Sequence, residues 1–139
     1  MLTSLRIQNF KSWTDTGPIR LAPLTVIFGG NSAGKSSLGH LLLALKQTAF
    51  SPDRKRALDL GDKTTAIDLG TFADCLYGHD LQRKLMFELS WQVQPALKLQ
   101  DALKPKVKFV GTALTLDVTI AAELKTGQPR TERFRYTNP

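Results

Sequence analysis

Residues 29–36 read GGNSAGKS and match the phosphate-binding pattern G-x-x-x-x-G-K-[ST] in full. An apolar run, LTVIF at residues 24–28, precedes this loop and has the composition of a strand covered on both faces. Leucines at positions 38, 41, 42 and 45 follow the loop with the spacing of one helix face. The sequence therefore predicts a strand, a glycine-rich loop and a helix that ends near residue 48, before Ser51-Pro52.

The residue types in this loop suit the binding of nucleotide phosphates. Gly29 and Gly34 allow backbone conformations closed to residues with a Cβ atom, so consecutive N–H groups can point inward. Lys35 is predicted to reach the β- and γ-phosphates, above the positive end of the helix dipole, and the Ser36 hydroxyl to bind Mg²⁺. The alternative is a glycine-rich turn that binds nothing. The predicted phosphate-binding residues are Gly29, Gly30, Asn31, Ser32, Ala33, Gly34, Lys35 and Ser36.

Composition places the chain among ordinary globular proteins. It has 139 residues, of which 42% are hydrophobic and 22% charged, so a single domain is expected. No apolar run approaches the roughly 20 residues that cross a bilayer, and residues 1–10 lack the apolar core of a signal peptide. A lone cysteine, Cys75, cannot form an intramolecular disulfide. These features predict a cytoplasmic protein without a membrane partner.

The chain is strongly basic, with 19 Lys and Arg against 12 Asp and Glu and a formal charge of +7. Such a surface can attract nucleic acid, and DNA is a candidate partner. The alternatives are a solvated face or a surface that meets an acidic partner, because no aromatic residues are interleaved with the charges in sequence. The basic residues concentrate at Arg54-Lys55-Arg56, at Lys98, Lys104, Lys106 and Lys108, and at Arg130, Arg133 and Arg135.

Alternation of apolar and polar residues predicts strands in the second half. Residues 85–93 alternate on odd positions, and Pro95 is predicted to end that strand. A further strand starts at Val107, and the change of phase at residues 110–112 requires a bulge or a tight turn. The predicted organisation is a strand–loop–helix core at 1–50, an irregular connection at 51–84 with a short helix near 71–77, and an antiparallel meander at 85–139.

Groups needed for nucleotide hydrolysis are not recognisable in the sequence. Hydrolysis requires an acidic residue that holds Mg²⁺, at the end of an apolar strand, and a residue that orients water. The run from Val118 to Glu123 ends in an acid, but its penultimate residue, Ala122, cannot bind a metal. Asp68 and Asp74 follow apolar runs that are short and mixed. No catalytic residue is therefore assigned.

The opening residues 5–12, LRIQNFKS, resemble the start L-x-I-x-N-F-(K/R)-S of ABC-type ATPases of the SMC, RecF, Rad50 and OLD-like group. The spacing from this start to the loop is similar, and residues 41–48 and 67–72 look most like a bacterial OLD-like subgroup of AAA ATPases. The close resemblance covers residues 1 to about 80.

This resemblance implies an α/β fold, the N-terminal lobe of a P-loop NTPase, with a mixed sheet, one main phosphate-loop helix and an antiparallel β meander. It implies that residues 1–139 are one partial domain that ends before the signature and Walker B motifs. The implied ligands are ATP and Mg²⁺, and the implied assembly is a head-to-head homodimer of the longer protein that sandwiches ATP. Members of this group often act on DNA or in defence against phage.

The resemblance also suggests further site residues. Ser37 joins the loop, and Lys11 and Ser12 are expected near the nucleotide. A glutamine that senses the γ-phosphate is expected after the loop helix, with Gln92 and Gln94 as candidates and solvent-facing strand positions as the alternative. Adenine is expected as the base, in agreement with the absence of the guanine-specifying pattern Asn-Lys-x-Asp.

Three functions follow as hypotheses. The first is an ATP–Mg²⁺-binding lobe whose hydrolysis needs the missing lobe and dimerisation. The second is a basic module that binds nucleic acid or a partner and in which the phosphate loop is vestigial. The third is a small-molecule or nucleotide kinase, although such kinases place the loop nearer the N-terminus and follow it with alternating helices and parallel strands.

Overall fold

A computed structural model describes residues 1–100, 103 and 108–138. The strands are β1 (Leu2–Phe10), β2 (Trp13–Asp15), β3 (Ile19–Arg20), β4 (Leu85–Gln100), β5 (Lys108–Ala122) and β6 (Pro129–Thr137). The helices are α1 (Lys35–Phe50) and the single turn α2 (Phe72–Cys75), which is followed by a 3₁₀ turn at Tyr77–His79. In the described part of the chain, no helix has the length and apolar character needed to span a membrane.

The strands form one six-stranded sheet in the order β2-β1-β4-β5-β6, with β3 also paired to β1. All pairings between the described strands are antiparallel. Strands β4, β5 and β6 follow one another in the chain and are adjacent in the sheet. Alternation of apolar and polar residues in the second half of the sequence predicted these strands. Register places Ile7, Phe87, Val118 and Phe134 in one row across four strands.

The predicted α/β fold of a P-loop NTPase with a mixed sheet is wrong. The fold is mostly one antiparallel sheet with a single long helix, α1, on one face. A mixed sheet requires a parallel pair, and the strand that was expected to enter it, at residues 24–28, does not form. The apolar composition of this run therefore predicted a strand where the described residues provide no neighbouring strand to pair with it.

Residues 24–28 form no regular secondary structure and are largely exposed. Leu24 is 81% exposed and Phe28 is 88% exposed, although both were expected to be buried in a sheet. The Thr25 hydroxyl bonds to the backbone of Ala22, which shapes a local turn instead of a ladder. Apolar side chains on both sides of this segment are thus open to solvent.

The core lies between the sheet and α1. Alternate residues of β1, Leu5 and Ile7, point to this face, and Asn9, with φ of 56°, shifts the phase so that Phe10 is also buried. Helical spacing places one side of α1 against them. The remaining core members include Leu38, Leu41 and Ala44 of α1, Leu85 and Phe87 of β4, Val118 and Ile120 of β5, and Leu58, Leu69, Phe72, Cys75 and Leu76 of the connection.

The connection at 51–84 is held by local hydrogen bonds. Helix α1 ends at Phe50, two residues beyond the prediction, because Ser51 precedes a proline and is extended. The predicted short helix near 71–77 is present as α2, where Thr71 and Asp74 form a reciprocal capping box. These Thr71 hydrogen bonds lower the pKa of the Asp74 carboxyl. The connection is therefore irregular yet specified by its polar side chains.

The long β4–β5 hairpin differs from the predicted arrangement. Pro95 does not end β4, which continues to Gln100 past a cis Gln94–Pro95 peptide. The register between β4 and β5 shifts between Gln92, which pairs with Ala113, and Leu97, which pairs with Gly111. This irregularity in β4 therefore lies opposite residues 110–112 of β5, where the change of phase was predicted. Lys104, Lys106 and Val107 lie outside the described residues, as does Pro139.

Candidate phosphate-binding loop

The loop at residues 29–34 leads directly into α1, whose first helical residue is Lys35. Gly34 is the N-cap residue and adopts a left-handed conformation, with φ of 82° and ψ of 10°. Ser32 also has a positive φ, of 65°. The Ala33 N–H donates to the Gly30 carbonyl at 3.3 Å, and the Ser37 N–H to the Gly34 carbonyl at 3.1 Å. The loop is thus a compact turn that closes onto the helix start.

Gly34 is required here for two reasons. Its left-handed backbone disfavours residues with a Cβ atom. In addition, a Cβ at this position would overlap the Ser12 Oγ and lie 2.9 Å from the Trp13 Nε1. The glycine therefore permits both the turn and the close approach of the β1–β2 hairpin.

Lys35 folds back over the loop. Its Nζ donates to the Gly29 carbonyl at 2.8 Å and to the Gly30 carbonyl at 2.5 Å. The ammonium group therefore lies against the backbone of the loop, where phosphate oxygens could replace the two carbonyls as acceptors.

The start of α1 is open to an anion. Among the described residues, no side chain caps the helix, and its first turn carries no acidic residue. The Ser36 side chain, next to Lys35, is exposed, whereas Ser37 is buried. The unpaired N–H groups of a helix start and its dipole favour negative charge. Asn31, Ser32 and Ala33 are exposed on the loop.

The turn between β1 and β2 brings Ser12 to the loop. The Ser12 Oγ lies against Gly34, so the structure brings Ser12 and the predicted loop together. Lys11 has a positive φ of 50°, and its N–H donates to the Cys75 carbonyl at 2.7 Å. The charge of Lys11 acts on Asp74 and Cys75, so the structure associates Lys11 with α2. Burial outweighs this charge and raises the pKa of the Cys75 thiol to about 11.

Trp13 is a site residue that sequence reasoning missed. Its indole Nε1 donates to the Gly34 carbonyl at 3.0 Å, across 21 positions of sequence. The only available signal was an aromatic residue directly after Lys11-Ser12 at a hairpin turn. Trp13 thus fixes the orientation of the peptide that ends the loop.

Replacing Trp13 with phenylalanine should weaken nucleotide binding by roughly 2- to 10-fold, the range of one hydrogen bond of about 0.5–1.5 kcal/mol. Phenylalanine keeps an aromatic ring of smaller size, but the indole N–H that donates to the Gly34 carbonyl is lost. Calorimetric titration with ATP–Mg²⁺ measures the effect. Trp91→Phe is the matched control, since Trp91 lies on β4 at the far end of β1. Equal affinities for both variants would contradict this role of Trp13.

A cavity of about 490 Å³ adjoins the loop. Lys35 and Ala33 form the side of the cavity nearest the loop, and Arg20 adds a second cation. The other walls come mostly from β2, β3 and the exposed apolar run. They are Trp13, Thr16, Ile19, Thr25, Val26, Ile27, Phe28 and Leu38.

Gln92 and Gln94 are not brought to the loop. The Gln92 N–H and carbonyl bond to Met1 at the start of β1, whereas Ser12 follows the end of that strand. Since β1 has nine residues, these two places are separated by roughly 25 Å along the strand. The structure therefore places both glutamines as exposed residues of β4.

The three acidic residues that the sequence offered as metal ligands form hydrogen bonds away from the loop. Within residues 1–100, 103 and 108–138, no three His, Cys, Asp or Glu side chains cluster so as to hold a metal. Asp68 accepts from the Gly70 N–H, Asp74 caps α2, and Glu123 accepts from the Thr126 hydroxyl at 2.6 Å. At the loop itself, the Ser36 hydroxyl is the candidate metal ligand.

No protein-family model matches the chain, and no curated protein is significantly similar to it. The assignment of a function therefore depends on the loop and its surroundings.

Proposed function

We propose that this protein binds ATP–Mg²⁺ through residues 29–36 and the start of α1. The observation that carries the proposal is the full phosphate-loop pattern at the start of a 16-residue helix, with a left-handed Gly34 and with Lys35 bound over the loop carbonyls. The choice of adenine rests on the resemblance of residues 5–12 and of the loop to the SMC, RecF and OLD-like ATPases.

Each loop residue has a distinct task in this proposal. The Lys35 ammonium exchanges the carbonyls of Gly29 and Gly30 for β- and γ-phosphate oxygens. Backbone N–H groups of the loop and of the first helical turn donate to the same phosphates. The Ser36 hydroxyl binds Mg²⁺ together with the nucleotide, and the ion keeps several waters. The neighbouring cavity, with its apolar walls and Arg20, receives the base and ribose.

Hydrolysis in this proposal depends on groups beyond those at the loop. A carboxylate that holds Mg²⁺ and a group that orients water would come from a further lobe and from a second copy in a head-to-head homodimer, as in the group that the chain resembles. We also propose a cytoplasmic location, consistent with a buried, unpaired Cys75.

Titration calorimetry with ATP in the presence of Mg²⁺ tests the proposal. The protein should bind ATP–Mg²⁺, and Lys35→Ala should reduce the affinity by about 100-fold or more because a charge-assisted contact worth about 1.5–3 kcal/mol is lost and the loop reorganises. Lys46→Ala is the matched control, because Lys46 is an exposed lysine farther along the same helix. An unchanged affinity in Lys35→Ala, or no ATP binding by the unaltered protein, would refute the proposal. GTP in place of ATP tests the choice of base.

A further inference from the structure

A cleft of about 630 Å³ lies away from the phosphate loop, beside the C-terminal half of α1. We call it the aromatic–basic cleft. Its floor is the core face of the sheet, and its walls are the end of α1, the start of the connection and the edge strand β6. The lining includes Phe87, Leu89, Leu116 and Val118 on the floor, Leu45, Thr48 and Ala49 on α1, Asp53, Arg54, Lys55, Arg56 and Ala57 in the connection, and Thr131, Phe134 and Tyr136 on β6.

Aromatic rings stand open along one wall of this cleft. Phe134 is 60% exposed and Tyr136 is 53% exposed, although both lie on the face of the sheet that is buried elsewhere by α1. Their ring centroids are 5.3 Å apart in an edge-to-face arrangement, and Trp91 contacts Tyr136 in the same way at 6.1 Å. The rings therefore form an ordered wall that is partly exposed to solvent.

The opposite wall carries cations that are not neutralised within the described residues. Arg54 and Lys55 are exposed, and no described carboxylate forms an ion pair with either. Arg56 is held by Asp59 at 3.0 Å and by Asp53 at 3.8 Å. Asp53 also accepts from the Lys55 N–H at 3.0 Å, so the acid in the cleft is already engaged. A positive charge remains opposite the aromatic wall.

We propose that the aromatic–basic cleft binds single-stranded nucleic acid. Bases would stack on Phe134 and Tyr136, and backbone phosphates would contact Arg54 and Lys55. Stacking on exposed aromatic side chains beside a basic groove is the general mode of binding single strands, whereas paired bases in a duplex offer no free face to such rings. The site is separate from the phosphate loop and does not depend on ATP binding.

The alternative occupant, a peptide strand added to the edge of β6, fits less well. The edge strand carries Arg130, Glu132, Arg133 and Arg135, and charged residues on an edge disfavour pairing with another strand. The aromatic–basic cleft also offers its rings on the sheet face, not along that edge.

Fluorescence anisotropy with a labelled oligothymidylate tests the proposal on the full chain. The double variant Arg54→Gln/Lys55→Gln should weaken binding and reduce the slope of log K against log salt by about 1.4, at about 0.7 per lost phosphate contact. Its matched control is Lys63→Gln/Lys125→Gln, which removes the same charge at exposed positions outside the cleft. Tyr136→Ala should weaken binding by roughly 5- to 140-fold, and Tyr136→Phe should retain it, because the ring carries the contact.

Every outcome of this binding experiment either supports or overturns the proposal. Loss of affinity in the cleft variants but not in the control pair, with Lys35→Ala unaffected, supports the proposal. Equal losses in both charge variants would show attraction by net charge alone and overturn it. Equal affinity for a duplex of the same length, or no binding at low salt, would also overturn it. Thermal unfolding followed by circular dichroism checks that each variant is folded. If Tyr136→Ala is unstable, the Arg54→Gln/Lys55→Gln variant still tests the proposal, because both of its substitutions are at exposed positions.

Discussion

Replacing Gly34 with alanine is expected to abolish ATP–Mg²⁺ binding in calorimetry. In the observed loop conformation, the added Cβ would overlap the Ser12 Oγ and lie 2.9 Å from the Trp13 Nε1. That conformation also requires a φ of 82° at this residue. A non-glycine residue in the left-handed region costs about 1 kcal/mol before any overlap is counted. The loop must therefore move away from the β1–β2 hairpin, and the backbone N–H groups that we propose as phosphate donors lose their alignment.

Gly39→Ala is the control for this variant. Gly39 lies in the middle of α1, and a Cβ there meets no atom within 4 Å. The same substitution should leave ATP binding unchanged and raise the free energy of unfolding by up to about 1 kcal/mol, because alanine favours a helix over glycine. Wild-type affinity in Gly34→Ala would show that the observed loop conformation is not the one that binds nucleotide.

Replacing Phe10 with alanine should lower the free energy of unfolding by roughly 3–5 kcal/mol. Phe10 is completely buried, and its backbone bridges to Leu76, so it joins the sheet to α2. A domain of this size has about 5–15 kcal/mol of stability in total. The variant should therefore be partly unfolded or unfold at a much lower urea concentration.

Phe50→Ala isolates the contribution of burial. Phe50 ends α1 and is 81% exposed, so its truncation should change the free energy of unfolding by no more than about 0.5 kcal/mol. Urea unfolding followed by circular dichroism compares the two variants. Similar losses from both substitutions would contradict the placement of Phe10 in the core.

Much of the local structure was predictable because its cause is local. The spacing of leucines after Lys35 predicted α1, and alternation predicted β4, β5 and β6, since each period reflects one buried face. The capped turn at Thr71 lies where a short helix was expected. The apolar run at residues 24–28 also had the composition of a buried strand, yet it is not a strand. A strand also needs a neighbour, and a local pattern does not say whether one exists.

The candidate site, too, was only partly predictable from the sequence. The candidate phosphate-binding loop is a motif of eight consecutive residues, so the sequence alone revealed it. Trp13 was missed because its bond to Gly34 spans 21 positions. The basic cluster at residues 54–56 had no aromatic residues interleaved with it in sequence. The structure places it opposite Phe134 and Tyr136, some 80 positions away, and so creates a surface that no sequence window contains.

The sequence by itself determined the loop GGNSAGKS, the helix that follows it and the alternating strands, because these follow from backbone freedom and from one-sided burial over a few residues. Only the tertiary structure decided that the sheet is antiparallel throughout its described strands, that the β1–β2 hairpin supports Gly34, and that cations meet exposed rings beside α1. These features depend on which distant segments pack together, and that choice is made by the free energy of the whole fold.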